Sequence, residues 1–427
     1  MNKIIVKGGN ALNGTIDISG MKNAALPIVF ATIVTKSVCV IENIPLVDDV
    51  LKSIEIIREM GGVAEFIDET TVKIDTTGVE CCTSPDDIVR KIRGSMYLLG
   101  AELAREGRTE MIYPGGCNFG KRPIDLHFKA FTALGADIRE DEDEYIRGEV
   151  KGRLHGANIY FDIASVGATI NAIIAAVTAD GVTVIENAAR EPHVVDVANF
   201  FNTCGANVTG AGTGTVKIHG VPELHGCTYA IIPDMIEAGT YMAAVAATGG
   251  CLTVGNIIPK HLEIISQKLI DMGVEIEEGD DYVTVRSNGN LRGINIKTLP
   301  YPGFPTDMQP QFAPLLSLAE GRGEIYESIF DNRFKYLEEL KKLGTTVDID
   351  GRTAVFSGGN KLVGAPARAV DLRGGAALVI AGLVAEGETE ILDADCIYRG
   401  YFNLVPTLRE LGADITEDRF ATHIYGD

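Results

Sequence analysis

Two kinds of apolar stretch alternate along the chain. Thr183 to Glu186, Val216 to His219, Val283 to Arg286 and Ala354 to Ser357 are short runs rich in β-branched residues, and they read as strands. Between such runs lie helices of two characters. Ser165 to Ala179 carries no charge and Ala376 to Ala385 is similar, which predicts burial, and both are too short to span a membrane. Arg333 to Leu343 instead sets Phe334, Leu337, Leu340 and Leu343 in a stripe, with Lys335, Glu338, Glu339, Lys341 and Lys342 opposite, so this helix faces water. Sheets around buried helices give an α/β class.

The pattern repeats. A hydrophobe or cysteine followed by glycine closes the outer helix at Met60-Gly61, Leu134-Gly135, Cys204-Gly205, Met272-Gly273, Leu343-Gly344 and Leu411-Gly412, at intervals of 68 to 74 residues. Gly107, Gly181, Gly250, Gly321 and Gly387 keep the same beat before strands of the Thr183-Val-Ile-Glu-Asn187 type, and the first unit has Lys36-Ser37 there. Six units of about seventy residues follow, each too large for a solenoid rung and small for an independent domain. Two domains of three units satisfy both limits, and 427 residues at 46% apolar can bury more than one core.

Charge narrows the partners. With 38 basic and 59 acidic residues the net charge is −21, which argues against nucleic-acid or anionic-membrane surfaces, so an anionic ligand needs a local basic cluster. The eight cysteines form no C-x-x-C pair and share no spacing with the seven histidines, so neither a zinc motif nor a disulfide framework is expected. The first residues enter a strand-like run without a signal-peptide core, and a cytoplasmic protein is expected.

Candidate chemistry gathers at the starts of the repeated helices. Buried helices are predicted to begin near Lys22-Asn23, Arg93, Ser165-Val166-Gly167, Asp234, Asp307 and Asp371-Leu372-Arg373. Outer helices should begin near Asp49, Arg122-Pro123, Glu191, Lys260, Arg333 and Arg399, so three of the six carry arginine there. A basic residue at a helix start is unfavourable for the dipole, whereas helix N-termini and arginine forks both suit phosphate and carboxylate. The recurrence suggests a ligand with several negative charges; at any single position the alternative is a solvated arginine, and for Ser165 a simple helix cap. Tyr113 to Pro123 is glycine-rich and places Cys117 before Lys121 and Arg122, which favour a thiolate. Read alone, such a stretch is more often a turn with a half-buried cysteine than a reactive loop.

Eight separated motifs, in order, resemble the UDP-N-acetylglucosamine 1-carboxyvinyltransferase family: Ser19 to Pro27, Pro114 to His127, Ser165 to Thr169, Glu186 to Pro192, Phe304 to Gln309, Asn332 to Phe334, Asp371 to Arg373 and Arg399 to Tyr401. The resemblance implies a two-domain inside-out α/β barrel of six βαβαββ units, with residues 22–232 in one domain and 1–21 plus 233–427 in the other. The active site would lie in the cleft between them. The implied reaction moves the enolpyruvyl group of phosphoenolpyruvate to the 3′-hydroxyl of UDP-N-acetylglucosamine, with no metal or cofactor. In that likeness Cys117 is the acid and the target of the epoxide fosfomycin, and Asp307 is the base. Lys22, Arg122 and Arg399 hold phosphoenolpyruvate, while Arg93, Arg333, Asp371 and Arg373 shape the site. Asn23, Arg122, Pro123, Ile124, Asp125, Leu126, Ser165, Val166, Gly167 and Ile329 line the nucleotide-sugar side, with His127 and Glu191 less direct candidates, for either of which the alternative is a tie between a helix end and its neighbour.

The sequence departs from the pattern at Met21, Lys121, His193, Met235, Asp331 and Gly374. These positions leave the proposed acid, base and phosphate ligands in place. Two alternatives remain at this point: a 5-enolpyruvylshikimate-3-phosphate synthase-like enzyme, against which the loop cysteine argues, and a silent paralogue that binds the nucleotide sugar.

Overall fold

The structure, a computed structural model, describes residues 2–115 and 124–418. Its contacts divide the chain into two units: Ser19–Pro233, and the first eighteen residues together with everything from Asp234 onward. In the Ser19–Pro233 unit, the helices Lys22–Thr35, Tyr97–Glu106 and Val166–Ala176 pack on one another, and nearly every side chain of the first and third is buried. The outer helices Asp48–Glu59, Asp125–Ala133 and Pro192–Thr203 each bury one face. The other unit repeats the scheme with Met235–Thr248, Gln309–Leu318 and Leu372–Val384 inside, and Pro259–Asp271, Lys335–Lys342 and Leu404–Glu410 outside.

Six sheets accompany the six helix pairs; five have four strands and one has three among the described residues. Each four-stranded sheet combines antiparallel pairs with one parallel pair, as Val182–Glu186 pairs antiparallel with Thr215–His219 and parallel with Asn158–Tyr160. The first strands join the later half of the chain: Lys3–Lys7 lies between Glu388–Leu392 and Asp414–Asp418, and Leu12–Asp17 runs parallel to Gly250–Gly255. The predicted stripe on Lys335–Lys342 is buried at Leu337 and Leu340, and Tyr336 joins it. Its opposite side carries the ion pairs Lys341–Glu338 and Lys342–Glu339.

The helix-closing glycines have a common cause. Gly61, Gly135, Gly205, Gly273, Gly344 and Gly412 all lie at φ between +91° and +107°, where a Cβ is strained. One expected helix start differs. Arg399 does not open an outer helix; it ends the 3-10 turn Ala394–Arg399, and the α-helix begins only at Leu404. Tyr401 explains the interruption, because its ring is buried and its hydroxyl lies 2.8 Å from Thr240 Oγ1 and 3.2 Å from Gln311 Nε2.

Candidate active site

In the Ser19–Pro233 unit the predicted residues fall into three groups. Lys22 opens the helix Lys22–Thr35, and its Nζ lies 2.9 Å from Asp49 Oδ2 at the start of Asp48–Glu59. Both side chains are buried, so the carboxylate fixes an ammonium that would otherwise be costly to desolvate. Asn23 beside it is half-buried. Sequence reading named Asp49 only as a helix start; its pairing with Lys22 joins two helices and leaves no local signal.

Arg93 begins the 3-10 turn Arg93–Met96. Its guanidinium stands 5.8 Å from the Tyr113 ring centre and 3.5 Å from the Pro114 carbonyl, at the near edge of the glycine-rich loop. Gly115 follows, and a Cβ there would fall 1.6 Å from the Arg90 carbonyl oxygen, so only glycine lets the loop leave along this path. Cys117, Arg122 and Pro123 lie outside the described residues.

The third group joins two helix starts. His127, in Asp125–Ala133, is 4% exposed and its Nδ1 accepts from the Asn171 side-chain amide at 3.0 Å. That amide also donates to Met96 O, while Asn171 Oδ1 accepts from Gly100 N. Burial, and secondarily the Arg93 charge, pull the His127 pKa down to about 3, so the ring is neutral and carries its proton on Nε2. The ring lies against Gly167, where an added Cβ would sit 3.2 Å from Nε2. Ser165 caps the helix by accepting from Ala168 N, and Ser165, Val166 and Gly167 stay half-exposed. Ile124 is buried, Leu126 half-buried and Asp125 exposed, while Glu191 is half-buried at the N-cap of Pro192–Thr203.

The other unit centres on Asp307. Its Oδ1 lies 2.8 Å from one Nη of Arg333, and its Oδ2 lies 3.5 Å from one Nη of Arg373. Both guanidiniums are buried, whereas the Asp307 side chain keeps 28% of its exposure. Arg333 also stands 5.4 Å from the Phe330 ring centre and Arg373 5.2 Å from that of Tyr401. The Arg373 guanidinium is buried and lies beside the Tyr401 hydroxyl, to which it is hydrogen-bonded. Asp371 spends one oxygen capping Leu372–Val384, accepting from Arg373 N and Gly374 N. Arg399 is half-buried.

No local sequence signal marks Glu327. Its buried carboxylate accepts from the Thr298 and Thr306 hydroxyls and from Ile329 N and Phe330 N, tying the segment that carries Ile329 to the one that carries Asp307. The cysteines gave no metal spacing, yet Cys39, Cys204 and Cys227 come together in space. A depression of about 510 Å³ lined by Asp86, Asp87, Glu110 and Tyr145 contains no basic side chain and does not suit an anionic ligand.

Residues 6–417 match the family EPSP synthase (3-phosphoshikimate 1-carboxyvinyltransferase). A protein of Caldanaerobacter subterraneus subsp. tengcongensis named UDP-N-acetylglucosamine 1-carboxyvinyltransferase 3 is 53% identical over 98% of this chain and 100% of its own length. UDP-N-acetylglucosamine 1-carboxyvinyltransferase of Clostridium botulinum is 52% identical over 97% of this chain and 99% of its own. Among solved structures, the enolpyruvyl transferase NikO from Streptomyces tendae superposes with a TM-score of 0.89 at 28% identity, covering 97% of this chain and 98% of that one. EPSP synthase from Acinetobacter baumannii shares the fold, with a TM-score of 0.74 at 18% identity over 98% of this chain and 100% of that one.

Proposed function

The chain belongs to the enolpyruvyl transferases of the EPSP synthase family, and from that premise we infer that it is the UDP-N-acetylglucosamine 1-carboxyvinyltransferase of peptidoglycan synthesis. It transfers the enolpyruvyl group of phosphoenolpyruvate to the 3′-hydroxyl of UDP-N-acetylglucosamine and releases phosphate, the first committed step of that synthesis. The observation that carries the choice of acceptor is 53% identity along nearly the whole chain to an enzyme of that name, against 18% to an EPSP synthase.

The chemistry is addition followed by elimination. C3 of phosphoenolpyruvate gains a proton while the sugar 3′-oxygen bonds to C2, giving a tetrahedral phosphate ketal. Loss of a C3 proton and cleavage of the C2–O bond to phosphate then yield the enol ether and inorganic phosphate. We assign the proton at C3 to Cys117, which would also form a thioether adduct at C2, and removal of the hydroxyl proton to Asp307. Supporting the second role is the half-exposed carboxylate that Arg333 and Arg373 hold in one orientation. Lys22, oriented by Asp49, would bind phosphoenolpyruvate with Arg122 and Arg399, and fixed cations of this kind stabilise the charge that develops on the departing phosphate. His127 in its neutral form, with the Ser165-Val166-Gly167 helix start, would face the nucleotide sugar as a donor surface.

A phosphate-release assay offering each acceptor in turn tests the assignment. UDP-N-acetylglucosamine should support turnover and shikimate 3-phosphate should not. The reverse result would make the chain an EPSP synthase, and tight nucleotide-sugar binding without phosphate release would make it a silent paralogue.

A further inference from the structure

Three thiols of the Ser19–Pro233 unit, none used in the reaction above, meet at one place. Cys39 lies in the strand Val38–Glu42, Cys204 is the C-cap of the helix Pro192–Thr203, and Cys227 immediately precedes the strand Thr228–Ala230. Their sulfur atoms all lie within 4.8 Å of one another, with Cys204 and Cys227 at 3.3 Å. Cys39 and Cys204 are fully buried and Cys227 is half-buried, which leaves one side open to solvent.

Backbone contacts hold the three positions. Val40 N donates to Cys227 O at 2.8 Å, so pairing of the two strands sets Cys227 against Cys39. His225 N donates to Cys204 O at 3.0 Å and ties the helix end to the same segment. A Cβ on Gly226 would fall 1.8 Å from Val38 O, so glycine is required for so close an approach. Three separate parts of the chain thus deliver their sulfurs to one point before any ligand arrives.

We propose that Cys39, Cys204 and Cys227 form a binding site for one thiophilic d10 cation, Zn²⁺ or Cu⁺, held by three thiolates. Metal–sulfur bonds of about 2.3 Å put ligand sulfurs about 4 Å apart in trigonal or tetrahedral geometry, within small side-chain rotations of the arrangement here. An all-sulfur donor set selects soft cations over Mg²⁺ or Ca²⁺. The three ligands complete a trigonal Cu⁺ site, and for Zn²⁺ the exposed side at Cys227 admits water as the fourth. Each thiol gives up its proton on coordination, so binding releases protons and strengthens as pH rises.

The test uses the full-length, fully reduced protein under anaerobic conditions, titrated with Zn²⁺ and separately with Cu⁺ against a competing chelator. One ion per chain should bind, with loss of affinity of more than about 100-fold in Cys39→Ser, Cys204→Ser and Cys227→Ser, more than loss of a supporting outer contact costs. Cys117→Ser should bind as the wild type does. X-ray absorption of the metal-loaded wild type supplies a readout that needs no variant to fold, and should show three sulfur neighbours. Absence of stoichiometric binding, a first shell of oxygen and nitrogen, or full affinity in the folded Cys227→Ser protein would overturn the proposal. So would dependence on Cys117.

Discussion

Asp307 and His127 show how neighbouring groups set what a side chain does. Asp307 is held by two buried guanidiniums while remaining half-exposed, which gives the carboxylate one orientation and leaves it within reach of a ligand. Asp307→Asn keeps the shape and removes the base, so kcat should fall by about 10²–10⁴-fold while UDP-N-acetylglucosamine affinity, measured by calorimetry, stays largely unchanged. Equal losses in both would make Asp307 a binding residue. His127 makes a different prediction. Its folded pKa of about 3 lies below the ordinary 6.5, so as pH falls the unfolded chain takes up a proton that the folded chain refuses. The resulting stability is complete above about pH 6.5 and is lost progressively towards pH 3. Between pH 7 and 5 the wild type should therefore lose about 2 kcal/mol more than His127→Gln, read from urea midpoints at the two pH values.

Among the elements, the glycine beat connects sequence and fold most directly, and its one exception is testable. Gly107, Gly181, Gly321 and Gly387 adopt positive φ before their strands and Gly250 does so as the first residue of its own, and in the first unit Lys36 also has positive φ, at +50°. Lys36 is exposed, so Lys36→Gly relieves strain without opening a cavity. A gain of about 0.5–1 kcal/mol is expected, the difference between the left-handed penalty and the extra entropy of glycine, visible as a higher denaturant midpoint. This level of structure was legible because it is local: periodicity, caps and closing glycines are written within a few residues of where they act. The Lys22–Asp49 pair, the Glu327 hydrogen bonds and the Cys39, Cys204 and Cys227 cluster were not, because each joins segments that meet only after folding. Tyr401 misled the helix prediction for the same reason, since its hydroxyl partners lie on the helices Met235–Thr248 and Gln309–Leu318. Gly374, one of the departures from the family pattern, has a cause of this kind too. A Cβ there would sit 2.6 Å from Cβ of the buried Tyr336, whose hydroxyl donates to Gln309.

At the scale of the whole molecule, a chain of net charge −21 must handle two anionic substrates, and on the proposed assignment a small set of basic side chains would hold them. The assigned groups are divided by unit: Lys22, Arg93, His127 and the Cys117 loop belong to Ser19–Pro233, while Asp307, Arg333, Arg373 and Arg399 belong to the other. Turnover on this assignment requires both units, but the reactivity of the loop thiol requires only its own unit and whatever brings the loop into place. Fosfomycin separates the two. Its epoxide is opened by thiolate attack at carbon, the ring oxygen takes up a proton, and a thioether remains on the cysteine. Mass spectrometry should find that adduct on Cys117, and a faster reaction when UDP-N-acetylglucosamine is present is the outcome expected if the nucleotide-sugar site is coupled to the thiol. Asp307→Asn should still be alkylated although its turnover falls. An adduct elsewhere, or none, would remove the role assigned to the loop. Equal rates with and without the sugar would uncouple the loop from the nucleotide-sugar site, leaving Cys117 reactive through its basic neighbours alone.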